Sequence, residues 1–197
     1  MSHTSAAISP RVLADVVPVS LARDVTLIVG AALLTAICAQ IVFPLPGSPV
    51  PITGQTFAVL LSGAALGSRR GALAMTLYLL LGLVGLPVYS DGGAGVEVLW
   101  GATGGYLVGF IVAAYVVGRL SEARFDRSLW KALPLFTVGS MIVFVFGVPW
   151  LAVAADISLG QAFALGFIPF IPGGIVKAIA AAAALPAAWR LVGGRRG

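Results

Sequence analysis

The chain is 197 residues long, 59% of them hydrophobic and only 10% charged, with a net charge of +5. Soluble domains carry about 25% charged residues, so this composition, with a mean hydropathy of +1.05, excludes a water-soluble globular domain and indicates an integral membrane protein. The positive charge does not point to nucleic acid, because the basic residues sit at the ends of apolar runs, and the single Cys38 excludes an intrachain disulfide or thiolate metal cluster.

Met1 to Arg23 is polar and broken by proline, and it lacks the short apolar core of a signal peptide. A spanning helix needs about 20 mostly apolar residues, and the first such run is Val25 to Val42. Pro44, Pro46, Pro49 and Pro51 then predict an extended loop, since each fixes φ and removes a donor. The second run is Gln55 to Gly67, followed by Arg69-Arg70-Gly71 as a tight polar turn. The third is Ala72 to Tyr89, ending near Gly85-Leu86-Pro87, before a Gly-rich loop over Ser90 to Gly95. The fourth is Ala102 to Gly118. A charged linker, Arg119 to Lys131, leads to the fifth, Leu133 to Ala155. The sixth, Phe163 to Val192, holds a short first segment, a Pro-Gly break and a full helix from Gly174. The expected organisation is a tail over 1–24, an all-α domain of six membrane helices over 25–192 and a tail over 193–197.

Charge sidedness agrees with six spans. Arg11, Arg23, Arg69, Arg70, the linker and the C-terminal arginines fall on one side; Asp91, Glu97 and Asp156 fall on the other. The positive-inside rule makes both termini cytoplasmic. Only Lys177 is left within an apolar run. An ammonium in the bilayer costs about 2.5–3.5 kcal/mol on insertion scales. Two readings stand: a lysine that snorkels to the interface, or a fixed cation for a carboxylate ligand, favoured by the strong Coulomb attraction of a low-dielectric site. The N–H groups exposed at the Pro172-Gly173-Gly174 break would also favour an anion. The Pro-rich and Gly-rich loops lie on the same outer side as Lys177, so a cavity near the extracytoplasmic face is expected there.

Thr53 or Gly54 reads as a helix cap, with Gln55 either in a first turn or facing the cavity with a donor and an acceptor. Tyr89, Trp100 and Tyr106 are candidates for belt aromatics, with Tyr106 the best pocket wall. Ala32 and Ala36 put two small residues on one helix face, a spacing that permits close approach of another helix. No metal-ligand cluster, Ser-His pair or phosphate-binding Gly-Lys-Ser/Thr loop is present, so no metal site, catalytic residue or cofactor is expected.

Four motifs in order, Pro49 to Thr56, Gly85 to Tyr89, Thr103 to Tyr106 and Phe170 to Lys177, make the chain resemble the BioY family over roughly Ala31 to Ala188. The resemblance implies a biotin-binding capture subunit of an energy-coupling factor transporter. Its implied partners are biotin, membrane lipid, a coupling membrane protein and two ATPase subunits that alone use ATP, with a second copy of the chain as an open alternative. It implies that Lys177 is the pocket lysine and that Ala32 and Ala36 make the coupling contact; together with the residues read above, the expected substrate site is Lys177, Tyr106, Gln55, Thr53, Tyr89, Asp91 and Gly174. The chain departs from the pattern at Gly174, where the family has an acidic residue, at Ala102, which replaces a proline, and at Gly93. Asp91 and Asp156 are the carboxylates left to substitute. Competing readings are a subunit or stand-alone carrier for another carboxylate-bearing vitamin, an intramembrane enzyme and a membrane scaffold.

Overall fold

The computed structural model describes residues 11–193, with side chains to 191; the far ends of both expected tails lie outside the described residues. The chain begins with a 3-10 turn, Leu13–Val16, and helix α1, Leu21–Ala39. The sequence pattern starts this helix at Val25, because Arg23 and Asp24 look like solvent residues. Ser20 instead caps it, its Oγ accepting from the Arg23 N–H at 3.1 Å. Arg23 is buried by donating to Asp24 at 2.6 Å and to the Val17 carbonyl at 2.6 Å. After α1 the chain does not stay extended and unpaired: β1, Val42–Phe43, pairs antiparallel with β2, Ile52–Thr53.

Helix α2, Gln55–Leu66, and helix α3, Ser68–Leu83, meet at Gly67, whose φ of +86° suits glycine. The turn expected at Arg69-Arg70-Gly71 is therefore a correction: all three residues lie in the first turn of α3. The helix tolerates the two arginines because Arg70 pairs with Asp15 and with Asp24, each at 3.1 Å. The Ser68 N–H at its start donates to Glu122 at 2.8 Å. The Gly-rich loop is followed by an unexpected short helix, α4, Val96–Trp100.

Helix α5, Gly104–Glu122, is the central pole. Of its most apolar window 61% is buried, against 22% for α1. Helix α6, Leu129–Ala154, follows a 3-10 turn at Phe125–Arg127. Then come α7, Leu159–Gly166, a 3-10 turn at Ile168–Phe170, and α8, Ile171–Gly193. Here the sequence expectation is corrected again. The break falls at Phe167, not at Pro172-Gly173-Gly174. Pro172 sits in the first turn of α8, where its missing N–H has no intrahelical partner to lose.

The result is a membrane helical bundle. Among the described residues four stretches are long and apolar enough to cross a membrane: α1, α5, α6 and the α7–α8 region. Helix α2, of 12 residues, and α3, of 16 residues, are shorter than a full span. Exposed apolar side chains such as Ile175 and Ile179 on α8 suit contact with acyl chains, and Val29, Leu33 and Ile37 leave an exposed apolar stripe on α1.

The turn before α6 is pinned to α8. Asp126, fully buried, accepts from Trp189 Nε1 at 2.6 Å, and the Arg127 guanidinium lies 3.3 Å from the centre of the Trp189 ring. Burial pushes the Asp126 carboxyl above its ordinary 3.8. The folded state therefore holds a proton more readily than the unfolded chain does. The contribution of this group to stability is greatest below 3.8 and is lost as pH rises through the folded value. Thermal unfolding of Asp126→Asn across this range should lack that pH-linked decline while keeping an acceptor for Trp189; an unchanged slope contradicts the assignment.

Candidate functional site

A cavity opens at the end of the bundle where β2, the Gly-rich loop and the start of α8 converge. Its free space, counted to the open mouth, is about 550 Å³. Val50 and Pro51 close one side, Tyr89 and Val98 another, and Phe110, Phe144 and Phe170 supply an aromatic wall. Phe144 packs edge-on against Phe170, with ring centres 5.8 Å apart, and against Tyr106 at 6.2 Å. Lys177 is the one formally charged side chain on the lining, and no carboxylate is found there.

Lys177 lies six residues into α8, about 9 Å from its start at Ile171, because the helix begins three residues before the expected Gly174. Its Nζ donates to the Thr53 carbonyl of β2 at 2.5 Å. An ammonium carries three donors, so two are left for the cavity side. The helix start and the cation therefore do not form one site at a Pro-Gly break. The cation stands by itself on the cavity wall.

Beside it runs a side-chain relay. Thr53 Oγ1 donates to Gln55 Oε1 at 2.7 Å, and Gln55 Nε2 donates to Tyr78 Oη at 2.6 Å. Tyr78 Oη in turn donates to the Val88 carbonyl at 3.1 Å. This fixes which way the Gln55 amide faces. The neighbouring Tyr89 packs edge-on against Tyr78 at 5.6 Å and donates to the Leu79 carbonyl at 2.6 Å. Tyr78→Phe leaves a buried amide N–H without its acceptor, a change that costs about 1–3 kcal/mol. The variant should melt earlier in detergent; equal thermal stability would show that the relay contributes nothing to the fold.

The structure brings Lys177, Thr53, Gln55, Tyr89 and Tyr106 to one cavity. Tyr106 is a wall, with its hydroxyl committed to the Gly166 carbonyl at 2.9 Å and its ring packed over Gly147. Thr53 and Gln55 are more than a cap: Gly54 takes the cap position and makes no side-chain bond there. Other expectations are corrected. Asp91 is exposed at φ +56° and does not line the cavity; Asp156, at φ +52°, is also exposed and off the lining. Gly174 faces a separate apolar groove between α6 and α8. Ala32 is fully buried on the inward face of α1, the face whose Thr35 reaches Met75 of α3, so it presents no outward surface; Ala36 is half-buried.

Tyr78 and Phe144 belong to the site or its support and carry no mark in the sequence, while Thr103 and Phe170 open two of the four motifs without being singled out as site residues. Tyr78 is one of two tyrosines in the third run, with Tyr89, and the one that lies in its interior. The phenylalanines carry no signal that separates pocket wall from lipid face. Among the described residues no group of three His, Cys, Asp or Glu side chains could hold a metal.

The chain matches the family model described as the BioY family over residues 5–194. It is 40% identical over 141 residues to a protein of Rhizobium etli named biotin transporter BioY, covering 68% of this chain and 75% of that one. It is 37% identical over 159 residues to biotin transporter BioY2 of Lactococcus lactis subsp. cremoris, covering 79% and 84%. The fold is similar to the crystal structure of the S-component for biotin from an ECF-type ABC transporter, with a TM-score of 0.79 and 23% identity over 88% of this chain and 95% of that one. The cavity, the lone lysine on its wall and the family match over nearly the whole length together establish that the chain belongs to the BioY family.

Proposed function

We propose that this protein is the biotin-binding subunit of an energy-coupling factor transporter, taking up biotin across the cytoplasmic membrane. One observation carries the reading: a single ammonium faces a largely apolar chamber in which no carboxylate answers it. Biotin supplies the missing acid. Its carboxylate meets the two remaining N–H groups of Lys177, its aliphatic chain and thioether ring meet Phe110, Phe144 and Phe170, and its ureido group meets the lining hydroxyls. The names of the relatives from Rhizobium etli and Lactococcus lactis, both biotin transporters, support this ligand.

The chain is a transport subunit and not an enzyme. Energy comes from outside it, from a coupling membrane protein and two ATPase subunits. Our reading is six spans with both termini in the cytoplasm and the cavity mouth on the outer face, supported by the basic residues at the helix ends. The coupling protein docks on the outward stripe of α1, Val25, Val29, Leu33 and Ile37, which is exposed, with Ala36 at its edge and Ala32 excluded by burial. A cross-linker at Leu33 that yields no adduct with the coupling protein would overturn that placement.

The decisive experiment is equilibrium binding to the purified chain, with thiamine and riboflavin beside biotin. Saturable binding of biotin alone is expected. Preference for another vitamin, or no binding, would overturn the reading.

A further inference from the structure

At the end of the bundle away from Lys177, the start of α6 and the last turns of α8 border a second, open groove, with free space of about 780 Å³ counted out to its mouth. Arg190 is thirteen residues beyond Lys177 on α8, about 20 Å along the axis, so the groove is separate from the binding cavity. Its walls divide into two kinds. Arg127 and Arg190 line one part, and the small apolar side chains Ala182, Ala183, Pro186 and Ala187 line another. Trp130, 83% exposed, stands at its edge, as indole side chains do at the boundary between lipid and water.

The charged part is built. Arg127 is stacked on Trp189, donates to the Arg11 carbonyl at 3.3 Å and lies 3.7 Å from Asp126. Arg127 and Arg190 line the groove, and Asp126 is the carboxylate beside them among the described residues, so two guanidinium groups stand against one acid. Ser128 makes no side-chain bond to the first turn of α6, so N–H groups at that helix start add to the positive field. The other basic cluster differs in degree: Arg70 is met by two carboxylates, Asp15 and Asp24, each at 3.1 Å, whereas Arg127 is paired with Asp126 at 3.7 Å and shares the groove with a second guanidinium, Arg190.

We propose that this groove binds an anionic phospholipid, with its phosphate between Arg127 and Arg190 and an acyl chain along the alanines of α8. Guanidinium groups pair well with phosphate oxygens, and a basic pocket between helix ends is suited to an acidic headgroup. The apolar half is what selects a lipid over a soluble phosphate ester. A soluble anion uses the arginines and has no need of a trough of alanines.

The test is native mass spectrometry of the purified chain with dioleoyl phosphatidylglycerol, dioleoyl phosphatidylcholine and glycerol 3-phosphate. Phosphatidylglycerol should bind about tenfold more tightly than phosphatidylcholine, and Arg190→Gln should remove that preference while leaving biotin affinity unchanged. Ala183→Leu should displace the lipid by filling the trough, without changing retention of glycerol 3-phosphate. Equal affinity for the two lipids, or a preference that survives Arg190→Gln, overturns the site. Displacement of the lipid by glycerol 3-phosphate, with Ala183→Leu silent, assigns the arginines to a soluble phosphate and also overturns it.

Discussion

Lys177→Ala is expected to lower biotin affinity at least about tenfold, equivalent to about 1.4 kcal/mol. The ammonium is held by the Thr53 carbonyl at 2.5 Å and borders a cavity with no carboxylate on its lining. A ligand acid there is the natural counter-charge, and removing one member of a desolvated pair commonly costs 2–5 kcal/mol. Alanine also deletes the stem, so Lys177→Met is the better control, keeping the packing and losing the charge. Wild type should prefer biotin to its uncharged methyl ester; both variants should bind acid and ester alike. That cycle isolates the charge from the shape. Unchanged affinity for biotin in Lys177→Met would remove Lys177 from the site.

Gly118→Ala is expected to be the more damaging change to the fold. A Cβ there would lie 2.3 Å from the Ser68 nitrogen and 2.5 Å from the Gly67 carbonyl carbon. Both are backbone atoms, and neither can swing aside. Ser68 is further held by Glu122 through its N–H at 2.8 Å and its hydroxyl at 2.7 Å. Helix α5 or the start of α3 must move, and overpacking of this kind costs about 1–3 kcal/mol. Gly30 is the internal contrast, with nothing within 4 Å of a Cβ. Gly30→Ala should be neutral or gain about 0.5–1 kcal/mol from helix propensity. Melting curves in detergent measure both; Gly118→Ala as stable as wild type would contradict the close approach of α5 to α3.

Much of this arrangement is legible in the residues. The apolar runs mark the helices because length and hydropathy are local properties. Lys177 is conspicuous because charge inside such a run is rare. Helix ends are less legible, since they depend on distant partners. Arg23 joins α1 only because Asp24 and the Val17 carbonyl receive it, and Arg70 joins α3 only because Asp15 and Asp24 lie opposite. The same holds within the site. Gln55 could be read as a first-turn residue, but its orientation is set by Tyr78, 23 positions later. Ala32 and Ala36 share a face by spacing, yet spacing does not say whether that face looks inward. Gly174 stands where the family pattern has an acid and Asp91 is a carboxylate offered in its place, and in this chain neither lines the cavity.

Residue 53 does two separate jobs. Its hydroxyl orients Gln55, and its main-chain oxygen receives Lys177. The second attachment is indifferent to the side chain, so point substitution cannot erase it; only a shift of the β1–β2 ribbon can. Thr53→Val should therefore loosen the amide while leaving the cation moored, making ligand orientation and charge capture separately adjustable at a single position.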